Sequence, residues 1–536
     1  MARDRGLGYW LTRRTSLTPK RRALVFEDET WTYADLNHRV NALAHALRDL
    51  GVRHGDRVAY LDLNHPAFFL TLFAAAKLGA IHVPLNFRLT APELSFIIRD
   101  AGVHTLVYDE AFAAAVDAIR DEVRCRELIC TAAGPGVRCL DELVRDRSGD
   151  DPDHQVSPDD VALIMYTSGT TGRPKGAMLT HGNLLWNNVN ASLAFDPSVD
   201  DVTLVCAPLF HIGGLNVTTL MAFMKGATVV LMRSFDPGRA LELIARHRVT
   251  TMFGVPAIFL FMSQHPDFAA ADMSSIRYLL CGGAPVPEAL IRLYGARGIC
   301  FAQGYGLTET APFVTLVPID RAFDKVGSAG IPPLFTDVRL VDERGDDVPT
   351  GERGEVVVRG PNVMKGYWNR PDATAETIVD GWLHTGDVAV RDAEGYYYIV
   401  DRKKDMIITG GENVYPAEVE NCLYQHPDIA EVAVIGMPDD RWGESVLAVV
   451  VRRPGATVEE QDIVDFTQGR LARYKQPRRV VFSDVLPRNP AGKVLKFELR
   501  RRLVGAPAEE AVEASAAPQV TAEADGRRTL EEVPAP

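Results

Sequence analysis

Eleven consecutive residues, Tyr166-Thr167-Ser168-Gly169-Thr170-Thr171-Gly172-Arg173-Pro174-Lys175-Gly176, carry five hydroxyls, three glycines and one lysine, directly after the apolar run Val161 to Met165. Glycine lets successive backbone N–H groups turn inward on an anion, hydroxyls donate further hydrogen bonds, and Lys175 adds a positive charge. That chemistry suits a polyphosphate. A polar surface turn is the ordinary reading of a short Gly/Thr run, and the length and the lysine set this one apart. A P-loop requires G-x-x-x-x-G-K-[ST]; here Lys175 lies between Pro174 and Gly176, which disfavours the P-loop kinases and ATPases.

The segment closely resembles the signature loop of the adenylate-forming superfamily, which includes acyl-CoA synthetases, luciferases and the adenylation domains of peptide synthetases. Further matches follow in the family's order: Pro208-Leu209-Phe210-His211, Gly282-Gly283-Ala284-Pro285, Gly304-Tyr305-Gly306-Leu307-Thr308-Glu309-Thr310, His384-Thr385-Gly386-Asp387, Asp401-Arg402-Lys403-Lys404-Asp405, Gly410-Gly411-Glu412-Asn413 and Pro487-Arg488-Asn489-Pro490-Ala491-Gly492-Lys493. The resemblance covers nearly the whole chain up to about residue 500. It implies an enzyme that joins a carboxylic acid to AMP and passes the acyl group to coenzyme A.

A carboxylate that attacks the α-phosphorus of ATP, with pyrophosphate leaving, needs charge neutralised on both groups. The resemblance implies that Ser168, Gly169, Thr170, Thr171 and Lys175 hold the outgoing phosphates. Mg²⁺ takes only one or two ligands from protein; Glu309 is the implied ligand, with Thr167 assisting. Tyr305 would offer its face to the adenine, with Gly283, Ala284, Pro285, Gly304, Gly306 and Thr308 around the nucleotide. Asp387 would accept from the ribose hydroxyls, and Arg402 would reach the same sugar. Lys493 is implied to bridge the carboxylate and the α-phosphate, where a cation stabilises developing charge; with Glu309 and His211 it makes the catalytic set. Lys404 matches the family's hinge, and Gly410 and Gly411 its pantetheine tunnel. Taken singly, Glu309 reads as a helix cap, Tyr305 as a core tyrosine, Asp387 as a turn residue and Lys493 as a solvated lysine. The ordered set carries the functional reading.

His211 stands where amino-acid-activating relatives carry an aspartate for the substrate ammonium, which disfavours amino acids. It either lines the acyl pocket or is a hydrogen-bonded core histidine. Gly213, Gly214, Phe253 and Gly254 are expected in the pocket wall, with the small residues leaving volume. No arginine occurs from Val249 through Met262, so a second substrate carboxylate would lack a partner. A medium, long or bulky apolar acid is therefore expected, rather than acetate or a dicarboxylate. Two alternatives stay open: a ligase that loads a carrier protein or another nucleophile in a secondary-metabolite pathway, and a non-catalytic nucleotide-binding protein.

These residues need a scaffold, and the apolar spacing describes one. Leu36, Val40, Leu43, Leu47 and Leu50, behind a Thr32/Asp35 capping box and ahead of Gly51, predict a helix. A strand from Arg57 to Leu63, a helix from Pro66, a strand Ile81 to Val83, a helix from Pro92 and a strand Thr105 to Tyr108 then alternate, as in parallel α/β layers. The alternation returns with strands at Val202 to Ala207, Thr228 to Met232, Thr250 to Gly254 and Tyr278 to Cys281. After Pro332 the pattern turns β-rich. From Arg402 on, strands at Val432 to Ile435 and Val446 to Val451 and helices at Pro416 to Tyr424 and Val458 to Arg470 make a small unit. The expected fold is α/β: a large N-terminal body of α/β layers plus a β-rich subdomain (1–401), a hinge (402–404) and a small mobile α+β C-terminal domain (405–504). Residues 505–536, with seven acids against Arg527 and Arg528, read as a disordered acidic tail.

With 536 residues, 46% hydrophobic and 24% charged, the chain reads as a globular protein of more than one domain. A net charge of -13 disfavours nucleic acid as a partner. Seven cysteines without CxxC spacing suggest neither a zinc site nor a disulfide framework. No signal peptide or transmembrane segment is expected: Phe68 to Val83 is broken by Lys77 and Gly79. A cytoplasmic location is expected; the oligomeric state is not specified.

Overall fold

The computed structural model describes residues 6–133, 137–152, 154–167, 174–284, 286–402, 405–409, 412–439, 441–488 and 494–503. Among these, two eight-stranded sheets and two five-stranded sheets form. The first large sheet runs in the order Phe313–Leu316, Phe301–Gly306, Tyr278–Cys281, Thr251–Gly254, Val202–Val205, Thr228–Leu231, Arg22–Phe26, Glu29–Thr32. Its interior pairings are all parallel and its two edge pairings antiparallel. The second runs Gly366–Tyr367, Lys175–Thr180, Val161–Thr167, Ile81–Pro84, Arg57–Leu61, Val103–Tyr108, Glu127–Cys130, Arg138–Cys139.

Helices Tyr33–Asp49 and Pro66–Lys77 share one apolar cluster with residues of both large sheets, such as Leu24 and Val229 of the first and Val58 and Leu163 of the second. Every residue of Pro66–Lys77 is buried, as befits a helix apolar all round its circumference. Phe69 and Phe73 meet Phe223 edge-on at 5.0 and 5.5 Å. The predicted capping box forms: Asp35 N donates to Thr32 Oγ1 and Thr32 N to Asp35 Oδ2, at 3.1 and 2.9 Å.

The β-rich subdomain pairs Asp337–Val341, Arg353–Arg359, Trp382–Arg391 and Tyr397–Arg402 antiparallel. The C-terminal unit builds on the long hairpin of Ile429–Asp439 and Gly443–Arg452, with helices Pro416–Leu423 and Glu460–Thr467 against it. The Arg353 guanidinium lies 4.1 Å from the centre of the Tyr415 ring and so joins subdomain and C-terminal unit. The α/β expectation holds, with corrections in detail. The strand expected to Leu63 stops at Leu61, because Asp62 and Asn64 turn their side chains into cross-sheet bonds. The helix expected over Val458 to Arg470 is shorter, Glu460–Thr467. Helix Leu7–Leu17 and the Arg22–Thr32 hairpin went unpredicted, being short and weakly periodic.

Candidate active site at the carboxyl ends of the parallel strands

Two of the sequence motifs lie where neighbouring parallel strands end. Gly254, Gly283, Ala284, Tyr305 and Gly306 lie at or just beyond the ends of Thr251–Gly254, Tyr278–Cys281 and Phe301–Gly306, neighbours in one parallel array. Side chains and loops at that edge face outward together, which is where open α/β sheets bind ligands. Gly283 adopts φ +82, a left-handed conformation natural to glycine. At Gly306 an added Cβ would lie 1.7 Å from the Pro312 carbonyl oxygen, so only glycine permits that backbone approach.

The phosphate-loop stem is an antiparallel pair, with Thr167 opposite Lys175 and the Thr167 hydroxyl 3.4 Å from the Lys175 carbonyl oxygen. Ser168, Gly169, Thr170 and Thr171 lie outside the described residues, as do Pro285, Lys404, Gly410, Gly411 and Lys493. The stem has a neighbour that the motifs did not indicate. Strand Gly366–Tyr367 pairs with Lys175–Thr180, placing Tyr367 opposite Ala177. Tyr367 then does two things. Its ring centre is 5.2 Å from Lys175 Nζ, and its hydroxyl donates to Glu309 Oε1 at 2.8 Å. Burial and the adjacent Glu309 carboxylate both raise its pKa far above the usual phenol value, so it stays protonated and a donor.

Thr308 and Glu309 belong to a single 3₁₀ turn, Thr308–Thr310, and do not open a longer helix. The second Glu309 oxygen has no hydrogen-bond partner among the described residues. Nor do three or more His, Cys, Asp or Glu side chains cluster there into a metal site. One available carboxylate fits Mg²⁺, which draws its remaining ligands from phosphate and water.

Tyr305 and Asp387 come from different sheets and meet: the Tyr305 hydroxyl donates to Asp387 Oδ2 at 2.6 Å. Asp387 is buried within strand Trp382–Arg391, held by its own N–H to Thr385 Oγ1, while Gly386 N–H donates to Glu355 Oε1. Arg402 pairs with Asp387 through the backbone of the next strand. An aromatic ring beside a fixed carboxylate suits a nucleoside, with the base on the ring and the ribose at the acid.

His211 follows strand Val202–Val205. Burial, and then the Arg88 charge, push its imidazole down to about 4, so it is neutral at ordinary pH. Its Nε2 is buried without a partner among the described residues, and its ring stands 4.3 Å from that of Phe210. The pocket expectation needs correcting at three glycines. An added Cβ on Gly213 would come within 2.8 Å of the Phe253 ring, on Gly214 within 2.3 Å of the Pro208 carbonyl oxygen, and on Gly254 within 2.9 Å of the Phe259 ring. The missing side chains therefore admit the Phe253 ring, a backbone turn and a core helix.

The Lys175 stem with Glu309 and Tyr367, and the Tyr305–Asp387 pair, are drawn from three different sheets, and their chemistry suits an enzyme that activates carboxylates as adenylates. The AMP-binding enzyme family model matches residues 11–368, and the AMP-binding enzyme C-terminal domain model matches 418–493. Feruloyl-CoA synthase of Amycolatopsis sp is 50% identical over 500 residues, covering 93% of this chain and 99% of that protein. Indoleacetate--CoA ligase of Aromatoleum aromaticum is 45% identical over 497 residues, covering 92% and 98%. Among solved structures, the Mycobacterium tuberculosis fatty acyl CoA synthetase superposes with TM-score 0.75 at 42% identity, covering 93% of this chain and 98% of that one. The chain belongs to the AMP-binding enzyme family, in its branch of AMP-forming acid–thiol ligases that make acyl-CoA.

Proposed function

We propose that this protein makes the coenzyme A thioester of a bulky apolar carboxylic acid, with an aromatic acid the preferred class. The observation that carries this reading is the Phe253 ring packed against Gly213, two residues beyond His211, whose own ring stands 4.3 Å from that of Phe210. The phenyl rings are apolar and aromatic, and flat acids stack on such surfaces. Two relatives are named for aromatic acids, ferulate and indoleacetate.

The reaction proceeds in two halves: acid and ATP give acyl-AMP and pyrophosphate, then coenzyme A gives acyl-CoA and AMP. Thr167 to Thr171 and Lys175 grip the departing phosphates; Tyr305 and Asp387 hold adenine and ribose, with Arg402 at the same sugar. Mg²⁺, when bound by Glu309 with help from Thr167, neutralises phosphate charge. Tyr367 orients Glu309 through its hydroxyl and leaves the second oxygen for that contact. Lys493 supplies the cation between carboxylate and α-phosphate, and neutral His211 lines the thiol path. The small domain, 405–504, swings on the 402–404 hinge around Lys404 so that Gly410 and Gly411 open the pantetheine tunnel. No described helix is long and apolar enough to cross a membrane, and we place the reaction in the cytoplasm.

A panel of phenylpropenoic, indolic, medium-chain, long-chain, acetic and malonic acids, scored by AMP release with coenzyme A, tests the proposal. Aromatic acids should give the highest kcat/KM. Preference for acetate or malonate would overturn it.

A further inference from the structure

Asn64 lies far from the motifs in sequence and is buried at the end of strand Arg57–Leu61. Its side-chain amide bridges the two large sheets. Nδ2 donates to the Ala207 carbonyl oxygen at 3.1 Å, and Oδ1 accepts from Leu209 N–H at 3.0 Å. Pro208, between them, has no N–H, so the amide takes the polar groups on either side of it. The segment continues as a tight turn in which His211 N–H donates to the Pro208 carbonyl oxygen at 3.2 Å.

Asn64 is itself anchored. Its N–H donates to the Arg233 carbonyl oxygen at 3.2 Å, at the end of strand Thr228–Leu231. The Arg233 guanidinium reaches back to the fully buried Asp62 at 3.1 Å and to Asp109 at 3.6 Å, and the Tyr60 hydroxyl donates to Asp62 at 3.3 Å. Asn64 thus ties the end of its own strand to the ends of two strands of the other large sheet, and Arg233 links that junction to Asp62 and Asp109. The segment that Asn64 grips, Ala207 to His211, is the one that presents His211 and backs Gly214.

We infer that Asn64 is a positioning residue for acid binding, holding the Ala207–His211 segment in place through its two-point amide bridge without touching substrate. The inference rests on the proposed placement of the acid beside His211 and Phe253. The adenine, ribose and phosphate groups sit on other elements, so the nucleotide half of the site is independent of this bridge.

The experiment measures KM for acid and for ATP by pyrophosphate exchange, together with thermal midpoint and circular dichroism, on four variants of the full chain. Asn64→Ala removes both bonds. Asn64→Asp keeps the bond from Leu209 N–H and sets an oxygen against the Ala207 carbonyl. Asn41→Ala removes another buried amide, which donates to Gly149 at 2.7 Å, and reports general destabilisation. Phe253→Ala alters the pocket wall directly. Both Asn64 variants should raise KM for the acid about tenfold or more while KM for ATP stays within about twofold. Asn41→Ala should move neither. Unchanged acid KM in Asn64→Ala, with acid preference altered in Phe253→Ala, would overturn the inference and leave the pocket standing. An unmoved acid KM and preference in both would overturn the pocket as well. Parallel loss of acid and ATP affinity, or failure of both Asn64 variants to fold when Asn41→Ala folds, would make Asn64 a purely structural residue and overturn the inference.

Discussion

Replacing Tyr367 by phenylalanine removes one oxygen and leaves the ring that faces Lys175. The lost contact is the hydroxyl donation to Glu309 at 2.8 Å. A hydrogen bond to a charged group contributes about 1.5–3 kcal/mol. At about 1.4 kcal/mol per tenfold in rate, full loss in the transition state slows acyl-AMP formation by about 10- to 150-fold. Glu309 is half-buried, so water replaces part of the bond and the lower end applies. The assay is single-turnover pyrophosphate release at varied Mg²⁺. Tyr367→Phe should be about tenfold slower, should need more Mg²⁺ for half-maximal rate, and should transfer the acyl group from supplied acyl-AMP to coenzyme A at the native rate. A variant within about twofold of native in both rate and Mg²⁺ requirement would refute the link from Tyr367 through Glu309 to the metal.

Lys493→Ala should nearly abolish acyl-AMP formation and spare thioester formation from supplied acyl-AMP; equal loss of both halves would remove the lysine from its bridging role. Gly411→Leu should show the converse in the same two assays, with pyrophosphate release kept and thioester formation blocked. Gly214→Ala, whose new Cβ would meet the Pro208 carbonyl oxygen at 2.3 Å, should raise KM for the acid and lower the thermal midpoint, because backbone rather than a side-chain tip must move. Burial holds His82, His181 and His211 at about 3, 4 and 4 against an ordinary 6.5. The unfolded chain then binds more protons than the native one between about pH 4 and 6.5, so their stabilising contribution is complete above 6.5 and declines as pH falls. Asp62, raised to about 6 by burial, acts in the opposite sense between 3.8 and 6. Three groups outweigh one, and the thermal midpoint should be lower at pH 5 than at pH 7.5; scanning calorimetry at the two values decides it.

Local pattern was enough for the scaffold. The threes and fours of Leu36 to Leu50, the capping box at Thr32 and the apolar runs between turns are short-range signals, and they correspond to elements of the described structure. The motif order was enough for the family, since each motif is a contiguous run whose residue types carry its chemistry. Contiguity also explains what was missed at the site. Tyr367 meets Glu309 across 58 residues, Tyr305 meets Asp387 across 82, and Asn64 reaches Ala207 and Leu209 across 143 and 145.

No periodicity encodes such pairings. They arise from which strands become neighbours and in what register, and register follows from burying apolar faces that belong to distant segments. The glycines make the same point. Sequence alone marked Gly213, Gly214 and Gly254 as small, but only the packed structure decides whether the space beside a glycine is left for a substrate or taken by Phe253, the Pro208 carbonyl and Phe259. The residue types and their order thus determined a carboxylate-activating enzyme, whereas the orientation of Glu309, the packing of Phe253 against Gly213 and the bridge at Asn64 were decided by tertiary packing, because each depends on atoms that only the closed core brings together.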